Sequence, residues 1–371
     1  MMRPLGAVAG LLLILTACAP TAAPPAGPTA AAPTAAPPSL PAAAAPTSAP
    51  AAVRPPTTLK IATLRPAADA GIFIALEKGY YQEEGIQLEM AQVDVGAQTI
   101  GFLASGQIDV GGGGQSPALV NAVERGINVK GVVDKGSFPP GFGSTALMVR
   151  KDLADAGAIR DYPDLRGRTI ATPAVGSTAH MMVMKALERG GLTHRDVEHV
   201  NIPFPDQLQA LANHNIEVGA TVEPFVTFGV EQNIAVRWKG ADEVYPGQQG
   251  ALLMYGPKLL EDQPDLGRAF MVAYLRGVRD YNDAIRKGIN RAEIFAMLAW
   301  NLTVKDVALW ERMVPTGLNP DGHINVETIR EDIERWIDLG MLKPEDRIDP
   351  GLLVDEQFVE YALSRLGPYQ Q

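Results

Sequence analysis

The chain has 371 residues, a formal net charge of −10 and a single cysteine. An acidic chain without a basic run excludes a nucleic-acid partner, because a phosphate backbone is held by clustered Lys and Arg. The length allows two domains with a sizeable core, and one cysteine leaves no internal disulfide.

Met1 to Ala17 carries Arg3 and an apolar run, Ala7 to Leu15. That run is too short for a membrane span of about 20 residues, so residues 1–17 read as a signal peptide. Leu15-Thr16-Ala17-Cys18 looks like a bacterial lipobox, in which Cys18 is acylated and becomes the mature N-terminus. The plainer alternative is an ordinary signal peptide with an incidental cysteine. Residues 19–56 are almost wholly Ala, Pro, Thr and Ser, with twelve prolines and one charge, Arg54. Such a segment buries no core and extends as a spacer of up to ~100 Å. Residues 18–56 are therefore expected to tether a folded body to the cell membrane, on its extracytoplasmic side.

The folded part starts at Thr57. Leu59 to Leu64 alternates as a strand, Arg65 to Gly71 makes a loop, and Ile72 to Lys78 reads as a helix. A strand over Ile86 to Met90 and a helix over Ala97 to Ser105 follow. Next, a short strand through Ile108 and Val110 runs into four glycines, Gly111 to Gly114, and Gln115. Ser116 and Pro117 open a new helix, since serine caps free N–H groups and proline fits the first helical position. A Gly-rich strand-to-helix crossing either seats a ligand or is a tight turn. No Lys-Ser/Thr follows the glycines, so it is not a phosphate loop.

A helix over Ala118 to Arg125 and a strand over Val129 to Val133 complete the first set. A second set begins with the strand Thr169 to Thr172. Its helix has apolar positions 179, 182, 183, 186 and 187 at i, i+3, i+4 spacing. Strands Val200 to Ile202, Val218 to Thr221, Ala235 to Trp238 and Ala251 to Tyr255 follow, with a helix over Gln207 to Asn213. From Leu259 the chain is nearly all helical, with Asn290, Thr303 and Asn325 as plausible caps. Alternating strands and helices predict an α/β fold with parallel-rich sheets, whose ligands bind beyond the carboxyl ends of the strands.

"IALEKGYYQEEGI" (Ile74 to Ile86), "FLASGQIDVGGGG" (Phe102 to Gly114), "ALVNAVERGINVKGV" (Ala118 to Val132), "DLRGRTIATPAVGSTAH" (Asp164 to His180) and "VEPF" (Val222 to Phe225) occur in one order. In that order the chain resembles the periplasmic solute-binding proteins of the nitrate, sulfonate, taurine and thiamine-precursor type. The resemblance implies a type II two-lobed periplasmic-binding-protein fold, two crossover hinge strands and a helical C-terminal region. Lobe one would take residues 57–150 and 251–371, and lobe two residues 151–250. The crossings are expected near Ala146 to Val149 and Leu252 to Tyr255. Hinge closure would hold the ligand between the lobes.

Gly176, Ser177 and Thr178 precede a helix and either cap it or offer donors and hydroxyls to a ligand. The family pattern puts Glu223 at the interlobe rim. There it would oppose a bound anion and accept hydrogen bonds from ring N–H or hydroxyl groups, unless it is merely solvated or capping. Phe73, Phe138, Phe142, Phe225 and Tyr255 either stack on a flat ring or pack in the core. Arg65, Asp69, Gln115 and Ser116 complete the expected ligand site, with Gln115, Ser177 and Glu223 facing a common gap. His180, His194, His199, His214 and His323 show no metal-ligand spacing, so neither a metal nor a cofactor is expected.

Together these features predict a non-enzymatic, monomeric lipoprotein of an ABC importer. Its partners would be a permease with its ATPase, and its ligand an aromatic vitamin. Riboflavin is favoured over a thiamine pyrimidine precursor, and a sulfonate or nitrate carrier is the rival. Eukaryotic enzymes that make the thiamine pyrimidine share this fold, but their cysteine-rich segment is absent here.

Overall fold

The computed structural model describes residues 56–63, 65–91 and 99–370. The expected signal peptide, Cys18 and nearly all of the expected tether lie outside the described residues. Ten strands alternate with helices: β1 (Thr57–Ala62), β2 (Ile86–Met90), β3 (Val110–Gly113), β4 (Lys130–Ser137), β5 (Thr145–Arg150), β6 (Thr169–Thr172), β7 (Glu198–Asn201), β8 (Val218–Val222), β9 (Ala235–Gly240) and β10 (Gln249–Tyr255). They form two five-stranded sheets, ordered β2-β1-β3-β10-β4 and β7-β6-β8-β5-β9. Each sheet centres one lobe of an α/β fold.

The two sheets share one plan. β10 runs antiparallel to β3 and β4, and β5 runs antiparallel to β8 and β9. The other pairs are parallel. In each sheet the antiparallel strand is the one that has just arrived from the opposite lobe. This shifts the expected boundaries. Residues 145–150 pair wholly within the second sheet and residues 249–255 wholly within the first, so neither strand straddles the lobes. The chain crosses instead at residues 138–144 and 241–248. The two crossings run side by side, with Phe138 N–H donating to Gln248 O at 3.1 Å and Gly247 N–H to Phe138 O at 2.8 Å.

The helical C-terminal region covers the first sheet. Helix Pro264–Asn282 packs Phe270, Tyr274 and Val278 against helix Ala70–Glu77 and the strands. Tyr255 belongs to this core. Its ring meets Phe270 and Phe358 edge-on at 6.0 and 5.0 Å, and its hydroxyl donates to Gly267 O at 2.9 Å. Phe73 is buried in the same cluster.

Helix Val326–Asp338 behaves differently. Ile329, Ile333 and Trp336 bury one face at helical spacing. The helix then reaches across to helix Thr178–Arg189 of the second lobe. Arg335 grips Glu188 at 2.8 and 3.1 Å, Lys185 meets Glu331 at 3.0 Å, and Trp336 Nε1 donates to Gly176 O at 3.0 Å. A helix that chain order assigns to lobe one thus holds lobe two. Of the expected caps, Asn290 and Asn325 flank helix starts without side-chain cap bonds, and so does Ser116.

Candidate functional site: an interlobe cleft

Between the lobes, beyond the ends of β3, β4 and β8, lies a cleft of ≈ 350 Å³. Its floor comes from lobe one and is largely free of side chains: Gly112, Gly113, Gly114, Gly136 and Gly250, with Ala251 beside them. Gly112 has a specific task. A Cβ there would stand 2.5 Å from Lys135 Cε and 3.3 Å from its Nζ, so only glycine lets the lysine stem cross the floor.

Lys135 lines the cleft yet is nearly buried. Its ammonium pairs with Asp69, fully buried one layer below, at 2.5 Å. Burial pushes the Asp69 carboxyl up, while the lysine charge beside it favours the ionised form. The next buried acid, Asp134, accepts from Gly136 N, Gln249 Nε2 and Asn319 N at 3.0, 2.6 and 2.6 Å. Burial still holds its carboxyl up at about 6.

The second lobe supplies the polar wall. Ser144 and Thr145 stand where the chain enters β5, Thr178 opens helix Thr178–Arg189, Val222 ends β8 and Glu223 follows it. Thr178 lies against the floor, 3.3 Å from where a Cβ on Gly114 would stand. Glu223 is 6 % exposed. One carboxylate oxygen accepts from Thr227 N and the other from Val314 N of lobe one, both at 3.1 Å. Glu223 therefore already bridges the lobes. Burial pushes its carboxyl up, and these two backbone N–H groups pull it down. Phe138 and Phe204 add aromatic surface, and Pro66, Ala67 and Ala68 close the rim.

The structure brings Phe138, Thr178 and Glu223 together and distributes the other expected residues nearby. Asp69 acts beneath the surface through Lys135. Arg65 is exposed beside the rim, with its guanidinium 5.3 Å from the Phe73 ring and donating to Asn301 O at 3.4 Å. Gln115 does not share the gap with Glu223. It is buried in the hinge, donating to Gln249 O at 2.6 Å and Asp332 Oδ2 at 3.2 Å.

Ser177 caps its helix by accepting from His180 N at 3.2 Å, so the hydroxyl in the cleft belongs to Thr178. Gly176 sits at φ +80°, sends its N–H to His180 Nδ1 at 3.0 Å and takes Trp336 on its carbonyl, all on the hinge side. Ser116 is outside the lining. Phe142 lies under Arg286 at 4.5 Å, and Phe225 packs on the second-lobe core. Phe73 and Tyr255 are core residues because their strand and helix positions face the first-lobe interior.

Sequence reasoning passed over Lys135, Ser144, Thr145, Phe204 and Thr316. One signal was available: Asp134-Lys135, a charge doublet inside an otherwise apolar strand and followed by Gly136, demands buried partners.

Three comparisons bear on this arrangement. The chain is 28% identical over 207 residues to the taurine-binding periplasmic protein of Escherichia coli, matching 54% of this chain and 60% of that one. It thus spans about 60% of that relative's length. It is 29% identical over 284 residues to the riboflavin-binding protein RibY of Chloroflexus aurantiacus, covering 73% of this chain and 71% of that one. Its fold matches the periplasmic aliphatic sulphonate binding protein SsuA from Escherichia coli with a TM-score of 0.63 at 19% identity, over 81% of this chain and 92% of that one. Residues 67–284, more than half of the chain, match the NMT1/THI5-like family model, and the chain belongs to that family.

Proposed function

We propose that the chain is the extracytoplasmic solute-binding component of an ABC importer. It captures an uncharged aromatic heterocycle, riboflavin first, and delivers it to a permease and its ATPase without chemistry of its own. The observation that carries this reading is the charge state of the cleft. Among the described residues that line it, the one cation is Lys135, already paired with Asp69, and the remaining charge is the carboxylate of Glu223. A sulfonate or nitrate would meet a neutralised lysine and an opposing acid.

A flat, neutral ring instead finds a side-chain-free floor and aromatic flanks. Hydroxyls and one carboxylate can receive its N–H and O–H groups. Size favours the larger vitamin. A cavity of about 150 Å³ holds one benzene ring, so ≈ 350 Å³ suits a fused ring system better than a single pyrimidine. The similarity to a riboflavin-binding protein supports the same ligand, whereas the similarity to taurine- and sulphonate-binding proteins supports the carrier role alone. Lipidation at Cys18, a tether to the membrane and action as a monomer complete the proposal.

Titrating the whole chain into riboflavin while following flavin fluorescence tests it. Quenching at micromolar protein supports the reading. Absent quenching together with binding of an alkanesulfonate overturns it in favour of an anion carrier.

A further inference from the structure

We propose that Asp69, which lies beneath the cleft and outside its lining, sets the cleft's selectivity by compensating the charge of Lys135 while leaving its other N–H groups as hydrogen-bond donors. This rests on the reading of the interlobe cleft as the ligand site. An ammonium group has three N–H donors, and among the described residues the partner of this one is Asp69, at 2.5 Å. Lys135 is 4 % exposed. An N–H left without a partner at that depth is costly, so the remaining donors call for an acceptor from whatever fills the cleft. Its Nζ would lie 3.3 Å from a Cβ placed at Gly112, which puts those donors at the floor where a ring would lie.

The pair thus imposes a polarity on the ligand. Carbonyl or ring-nitrogen acceptors go to the Lys135 side, and N–H or hydroxyl donors to the Glu223 side. The pair also excludes anions. A full negative charge at the floor would share Lys135 with a fully buried carboxylate that lies in direct contact with the same ammonium. Removing the Asp69 charge while keeping its shape would leave the lysine free to hold an anion. One buried carboxylate would then separate a vitamin site from a sulfonate site.

The experiment compares wild type and Asp69→Asn by calorimetric titration with riboflavin and with ethanesulfonate. The filter predicts that Asp69→Asn gains at least tenfold in ethanesulfonate affinity relative to riboflavin and loses that gain in Asp69→Asn/Lys135→Met. An Asp69→Asn protein that folds and gains no sulfonate affinity overturns the filter, whatever wild type does with riboflavin. Wild type that ignores riboflavin overturns the functional reading separately.

Should Asp69→Asn not fold, Glu223→Gln supplies the second measurement. With that acid neutral, the carboxylate facing Lys135 is Asp69. With Asp69 still charged, ethanesulfonate affinity should then stay within about threefold of wild type, because Lys135 remains paired. A gain of tenfold or more in Glu223→Gln would show that Glu223 and not Asp69 excludes the anion, and overturns the filter.

Discussion

The surface between the lobes has two halves built on opposite rules. The cleft is lined by glycines, small hydroxyl residues and one internally neutralised ion pair. The hinge half is filled: Trp336, Arg335, Asp332, Gln115 and Gln249 are buried there and tie the helix Val326–Asp338 to both lobes. On the proposed function, the contacts that hold the lobes together lie on one side and ligand recognition on the other, so mutations should separate stability from binding according to which half they strike.

The largest effect is expected in the hinge. Trp336 is fully buried and holds Gly176 O at 3.0 Å. Trp336→Ala should cost about 3–5 kcal/mol in a urea melt. Remaining folded protein should show a broader range of lobe separations by small-angle scattering. An unchanged melt would place the hinge contacts elsewhere.

Next comes the acid dependence of the same region. Burial pushes Asp332 up to about 7, against the attraction of Arg335, and Asp134 up to about 6. Unfolded aspartates titrate near 3.9. Between these limits the two folded acids bind protons that their unfolded forms do not, so their contribution to stability rises as pH falls from about 8 to 5, by on the order of a few kcal/mol. His180, held down at about 4 by burial, works the opposite way below about 6.5. Denaturant midpoints across that range measure it, and Asp332→Asn should flatten the upper part of the slope. A midpoint difference between wild type and Asp332→Asn that does not change with pH would contradict the assignment.

In the cleft the effects should fall on binding. Gly112→Ala puts a methyl 2.5 Å from Lys135 Cε. Displacing the lysine should weaken riboflavin about tenfold, or about 1.4 kcal/mol, with a smaller change in the melt. The smallest effect belongs to Phe138→Ala, where loss of one aromatic face should cost about 0.5–1.5 kcal/mol of affinity by the same titration.

The same contrast explains what the sequence revealed. Periodicity exposed the amphipathic helices and the alternating strands, because burial on one face repeats at 3.6 or 2 residues. Helix Thr178–Arg189 buries the apolar positions 179, 182, 183, 186 and 187 read from its spacing. The Gly-rich run after Val110 was open to two readings, a ligand seat or a tight turn, and the structure lays Gly112, Gly113 and Gly114 along the cleft. The crossings were harder. β5 and β10 carry ordinary apolar strand patterns, and nothing local distinguishes a strand that spans two lobes from one that enters a sheet after crossing.

Gln115 and Ser177 illustrate the remaining gap. Their residue types fit a ligand site equally well, but a turn of one residue decides whether a side chain faces the cleft or the hinge. Ser177 fell to the capping role and Thr178 to the cleft. Lys135 escaped notice because its pairing partner lies 66 positions earlier in the chain, a proximity that only the folded sheet creates.

The central claim is that the cleft takes a neutral ring. Mass spectrometry of small molecules released from the whole chain, purified from cells grown with both vitamins and alkanesulfonates, tests it most directly. The account predicts a stoichiometric, uncharged nitrogen heterocycle of more than one ring. A sulfonate or nitrate at that stoichiometry, without such a heterocycle, would contradict it.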